Sequence, residues 1–196
     1  MKPLSFSVTL PTWVVEVADF DRAYGSHEDK MGLAIDLAMT NVTQATGGPF
    51  GAAIFDATTD KLIAPGVNLV IPASNPTAHA EIVAMGLAGD RLGRYDLGDN
   101  GQSPAVLATS VEPCAMCLGA TPWSGVTTLL VGARDEDARG IGFDEGTKPA
   151  NWVQDLEARG IAVETDVRRE DAVTVLTTYA ETGGVIYNAD AEDDDA

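Results

Sequence analysis

The stretch "AVLATSVEPCAMCLGATPWSGVTTLLVGA", Ala105 to Ala133, decides how the chain reads as a fold. It opens on "AVLATS", an apolar run of strand length, and closes on "TTLLVGA", a second one. Between them Pro113 marks the opening of a short helix near Cys114. The only 2 cysteines of the chain, Cys114 and Cys117, both fall at that opening.

The same alternation continues outward. "SHEDKMGLAIDLAMTNVTQ", from Ser26, sets Met31, Ile35, Ala38, Met39 and Val42 at helical spacing, with Ser26 as N-cap. "FGAAIFD" and "KLIAPGVNLV" are short apolar runs around a polar turn and predict a β-hairpin. Asn75, Pro76 and Thr77 then break the chain before a helix over 78–88, with Gly89 as its stop. "GIAVETDV" predicts a further strand, and a last helix over 170–182 meets Gly183 and Gly184. Helices interleaved with strands predict an α/β protein, a three-layer α/β/α sandwich. One domain covers 1–188, with 1–25 an extended N-terminal arm. The acidic run 189–196 is expected to be disordered.

Charge narrows the partners. Only 12 Lys and Arg oppose 30 Asp and Glu, a net charge of −18. Nucleic-acid binding rests on basic groups neutralising phosphates, so a polyanionic partner is not expected. No apolar run has the length of a membrane span, and the N-terminus lacks a small-residue cleavage site, so a cytoplasmic protein is expected. Two cysteines at C-x-x-C spacing make no disulfide framework.

Metal and acid–base chemistry are scarce in this chain, which makes their placement informative. His79, one of 2 histidines, opens the predicted helix after Pro76. Cys114 and Cys117, at i and i+3, share one face of the other helix, so both sulfurs reach one metal ion. A helix N-terminus favours the thiolate through its free N–H groups and its positive dipole end. His79, Cys114 and Cys117 together suit Zn²⁺, and three protein ligands with one open position is the catalytic pattern. His27, the other histidine, sits in the polar opening turn of the first helix. Glu81 follows His79 by two positions, so its carboxylate faces the same space without ligating and can move protons. The C-x-x-C pair read alone also fits a redox pair, but "EPCAMCLGA" lacks the surroundings of one. H-x-E followed by P-C-x-x-C is the signature of zinc deaminases.

"PTAHAEI" and "EPCAMC" resemble the His/Cys/Cys branch of the cytidine deaminase superfamily, and the resemblance runs from the first helix to "GVIYNA". It implies a mixed central sheet, Zn²⁺ on His79, Cys114 and Cys117, and Glu81 as proton shuttle. "TSVEPCAMCLGATPWSGV" and "GARDEDARGIGFDEG" are most similar to bacterial guanine deaminases, a subset of which also acts on triazines such as ammeline. The implied activity is guanine to xanthine plus ammonia. By the same resemblance Asn68 binds the base edge and Glu145 is a second catalytic carboxylate. Phe50, Ala80, Trp123 and Phe143 contact the substrate, and Tyr187, within a 185–188 segment, covers the site of a neighbour in a homodimer. Deamination of cytosine, another base or tRNA adenosine, and a zinc scaffold without catalysis, are the alternatives left by the residues alone.

Overall fold

A computed structural model describes residues 4–188 of the chain. The acidic run 189–196 lies outside the described residues. In the N-terminal arm Val14–Val17 forms a single helical turn, α1. Helix α2, His27–Thr43, begins where Ser26 accepts a hydrogen bond from the Asp29 N–H, the N-cap that the sequence predicts. The hairpin follows as β1, Gly51–Asp56, and β2, Leu62–Val67. Then come α3, Ala80–Leu92, β3, Ala105–Val111, α4, Ala115–Ala120, and β4, Thr128–Ala133. Two short helices, α5, Asp135–Gly140, and α6, Trp152–Glu157, precede β5, Ala162–Glu164, and α7, Arg169–Glu181.

The strands form one mixed sheet in the order β2-β1-β3-β4-β5. Strand β1 runs antiparallel to both β2 and β3, and β3, β4 and β5 run parallel. Pro65, which cannot donate to a ladder, lies in β2 at the sheet edge, where one side needs no donors. Alternate side chains serve opposite faces. Ala53, Phe55, Ala108 and Leu130 pack with Met31, Leu37 and Leu176 of α2 and α7. Ala52, Ile54, Leu107 and Leu129 pack instead with Ala80, Ala84 and Ala88 of α3. Helices on both faces complete the α/β/α sandwich.

Two glycines set how closely the helices approach. A Cβ on Gly51 would lie 2.2 Å from the Ala34 carbonyl of α2. One on Gly66 would lie 2.1 Å from the Ala80 carbonyl and 2.6 Å from the Ala84 nitrogen of α3. Backbone meets backbone there, and no side chain can move aside.

The structure departs from the sequence reading in particular places. Helix α3 passes through Gly89 and ends at Gly93, whose φ of 65° supplies the left-handed cap. Gly89 costs the helix a little stability but does not break it. Only Ala162–Glu164 of "GIAVETDV" join the ladder. The arm is docked as well as extended: Trp13 Nε1 donates to Thr46 Oγ1 at 3.1 Å, and Tyr24 packs on Phe55 at 5.2 Å. Helices α5 and α6, six residues each, are too short and polar to show a period.

Because β1 opposes both neighbours, β2 and β3 point the same way, and their C-terminal ends share one edge of the sheet with the start of β1. Asn68 and His79 follow β2, Cys114 follows β3, and Phe50 precedes β1. The Gly66 contact seats α3 at that edge. Gly66→Ala should therefore lower stability by about 1–3 kcal/mol through overpacking. Gly86→Ala, also on α3 but with nothing within 4 Å of the added Cβ, should be neutral or stabilising. Thermal melts of the two variants check this; equal melting temperatures would refute the contact.

Candidate active site

His79 is the N-cap residue of α3 and Cys114 that of α4. Cys117 follows one turn into α4 and is fully buried. One ligand atom from each of the three lies within 4.8 Å of the others, and Cys114 Sγ is 3.5 Å from His79 Nδ1. His27 is not part of this group: its Nδ1 lies 2.6 Å from Glu164 Oε2 on an exposed surface.

The triangle opens into a cavity of about 540 Å³. Asn68, Glu81 and Glu145 line it, with Phe50, Phe143 and Tyr187 as aromatic walls. Phe143 lies at the centre of the aromatic set, edge-on to Phe50 at 4.9 Å and to Tyr187 at 5.2 Å. Asn68 is buried, its Oδ1 accepts the Val70 N–H at 3.3 Å, and its Nδ2 has no hydrogen-bond partner among the described residues. An unsatisfied buried amide is costly unless a ligand completes it.

Electrostatics in the cavity are dominated by acids. Burial pushes the Glu81 carboxyl up, reinforced by the charge of Cys114 and opposed by His79. Burial also pushes Glu145 up, to about 8, with Cys114 and Glu81 adding to the rise. The Cys117 thiol donates to Cys114 and, with His79, lowers the Cys114 thiol to about 4 against the effect of burial. Cys117 in turn is raised, first by that bond and then by burial. Burial works against the His79 cation, but the hydrogen bond to Cys114 and the charges of Glu81, Cys114 and Glu145 outweigh it and raise its pKa. Two thiols, an imidazole and two carboxylates thus crowd one pocket. A divalent cation on the N/S/S triangle relieves that crowding, ionising both sulfurs, so donor set and spacing both fit zinc.

The remaining candidates fall differently. Ala80 is fully buried in the core with Ala64 of β2 and is not among the residues that line the cavity. Trp123 does not wall the cavity: it lies in the Thr121–Ser124 turn after α4, 85% exposed, beside Tyr95 in a separate groove. That turn carries it past the end of α4. Tyr187 lines the cavity of its own chain. Asn188 fixes it there, accepting the Asp144 N–H and donating to the Gly142 carbonyl, both at 2.9 Å. Sequence reading gave no role to Glu112 and Asn188, although both lie in the quoted stretches "EPCAMC" and "GVIYNA", nor to Lys148, which lies in no motif. A zinc assay checks the centre: about one Zn²⁺ per chain is expected, and Cys117→Ala should lose metal and turnover together.

Residues 25–133 match the family of the cytidine and deoxycytidylate deaminase zinc-binding region. The guanine deaminase of Bacillus subtilis is 41% identical over 120 residues, 61% of this chain and 72% of that protein. Among solved structures, a guanine deaminase from Nitrosomonas europaea superposes with a TM-score of 0.85 at 42% identity, over 90% of this chain and 97% of that one. The protein NE0047 in complex with 2,6-diaminopurine superposes with a TM-score of 0.86 at 43% identity, over 94% and 97%. With its helix-opening histidine and cysteines gathered beside a buried glutamate, the chain belongs to the cytidine and deoxycytidylate deaminase family of zinc-dependent hydrolases.

Proposed function

We propose that the chain hydrolyses the exocyclic amine of free guanine, releasing xanthine and ammonia. The observation that carries this reading is the unpartnered Asn68 Nδ2 in a cavity that also holds two buried carboxylates beside the metal ligands. Guanine offers O6 and N7 as acceptors and N1–H and its amine as donors. An amide donor and carboxylate acceptors are the complement of that pattern. The relatives named for guanine deamination support the same choice.

Hydrolysis at C2 adds the oxygen of water, moves one proton to ring N3 and another to the departing amine. His79, Cys114 and Cys117 would hold the zinc ion, which when bound would supply Lewis acidity and activate water near neutral pH. Glu81 takes the proton released by the attacking water and delivers it to N3. Glu145, whose carboxyl burial pushes up to about 8, gives a proton toward the amine and recovers one afterwards. Asn68 fixes the ring in register, and Phe50 and Phe143, packed edge-on to each other, form one apolar wall beside it. Tyr187 covers the ring and excludes water, which strengthens each polar contact beneath it. The working unit in this reading is a cytoplasmic homodimer.

Ammonia release tests the proposal across guanine, cytosine, adenine, ammeline and nucleosides. Guanine should be the best substrate; no turnover of guanine with good turnover of cytosine would overturn it. Glu81→Gln should keep zinc and lose about 10²–10⁴-fold in kcat, and Asn68→Ala should chiefly raise KM. Light scattering should give twice the chain mass for the dimer, and a single chain mass would remove it.

A further inference from the structure

Lys148 lies just beyond Glu145 in the loop after α5 and is almost wholly buried, with its side chain 8% exposed. It is one of few basic groups in a chain with 12, and no part of the reaction uses it. Its ammonium makes two hydrogen bonds and a further close ion pair. These reach Glu112 Oε1 at 2.6 Å, the Pro113 carbonyl at 3.0 Å and Asp135 Oδ1 at 2.7 Å. One ammonium therefore ties the Glu145 loop to the end of β3 and to the opening of α5.

Other bonds complete the clamp. The Ala115 N–H donates to the Glu145 carbonyl at 2.9 Å, joining the loop to the opening turn of α4. Arg139 Nη2 donates to the Gly146 carbonyl at 2.6 Å, and Arg139 Nε donates to Asp135 at 2.6 Å. Gly146, at φ 70°, turns the chain where an added Cβ would meet Ala115 at 2.9 Å. Glu145 stands on a loop with no helix or strand of its own, so these tethers decide where its carboxylate points.

We infer that Lys148 is a positioning residue, holding the Glu145 carboxylate in the cavity by clamping its loop to Glu112, Pro113 and Asp135. Without the ammonium, Glu112 loses its cation, Asp135 keeps only Arg139, and the loop loses its side-chain tie to the end of β3. The inference rests on the reading of Glu145 as a proton carrier.

A double-mutant cycle tests it on the zinc-loaded full chain with guanine: wild type, Lys148→Met, Glu145→Gln and the double variant. Glu145→Gln should lower kcat by about 10²-fold or more. Lys148→Met should lower kcat about tenfold or more, in the same kcat-against-KM pattern. In the Glu145→Gln background the same substitution should cost no more than about twofold. Lys148→Arg should recover part of the loss by keeping the charge. Zinc content and the visible spectrum of the cobalt-substituted protein should stay as in wild type, since the ligands are untouched. Losses that multiply in the double variant overturn the inference, as does a changed cobalt spectrum, which would mean that Lys148 acts through Cys114. If Lys148→Met fails to fold because Glu112 is stranded, the cycle runs in a Glu112→Gln background with the same outcomes. Full turnover in Glu145→Gln alone overturns the reading of the second carboxylate and this inference with it; a crippled Glu145→Gln with multiplying losses overturns the inference alone.

Discussion

The direction of β1 is the constraint on which the rest of the molecule depends. By running against both β2 and β3 it makes those two strands point the same way with one strand between them. Each is followed by a segment leading to a helix N-terminus, so the openings of α3 and α4 meet across the sheet edge. A parallel β1 would place Phe50 at the opposite edge from Asn68 and Cys114. The antiparallel hairpin therefore gathers the cavity wall, the buried Asn68 amide and the metal ligands in one place. Gly51 and Gly66 then let the helices on either face sit against bare backbone, which leaves little freedom in where His79 and Glu81 stand.

The cavity concentrates negative charge in a protein that already carries an excess of it. Surface acids are screened by water and salt, but Glu81 and Glu145 are buried, and their carboxyls are pushed toward the protonated form. Burial that perturbs carboxyls in this way is common where side chains move protons. The single imidazole cannot balance two thiols and two carboxylates. The N/S/S set recruits a cation for that purpose, and the lysine nearest to Glu145 is already committed to three other oxygens.

Closure of the site is the work of neutral groups. Tyr187 rests on Phe143, which rests in turn on Phe50, so the cover is continuous with the aromatic wall. Asn188 supplies a donor and an acceptor to the loop carrying Asp144 and Glu145. Cover and second carboxylate are thus coupled through one loop. The exposed Trp123 shows the contrast: an aromatic residue near the cysteines in sequence points elsewhere, because α4 ends and turns before it.

Where periodicity and punctuation are local, the sequence was enough. Ser26 caps α2 because its hydroxyl accepts an N–H three residues away, and the hairpin runs show strand length between turn residues. His79, Glu81, Cys114 and Cys117 were legible because a thiol pair one helical turn apart and a histidine at a helix opening leave little else for their chemistry to do. Gly89 misled the reading because glycine's permissiveness does not say which glycine takes the left-handed cap. Strand order, the depth of Asn68, the exposure of Trp123 and the clamp of Lys148 on Glu112 and Asp135 were decided by the tertiary structure alone. Each depends on groups distant in sequence meeting at one sheet edge, and the alternation of apolar residues along a strand says which face is buried without saying what lies beside it.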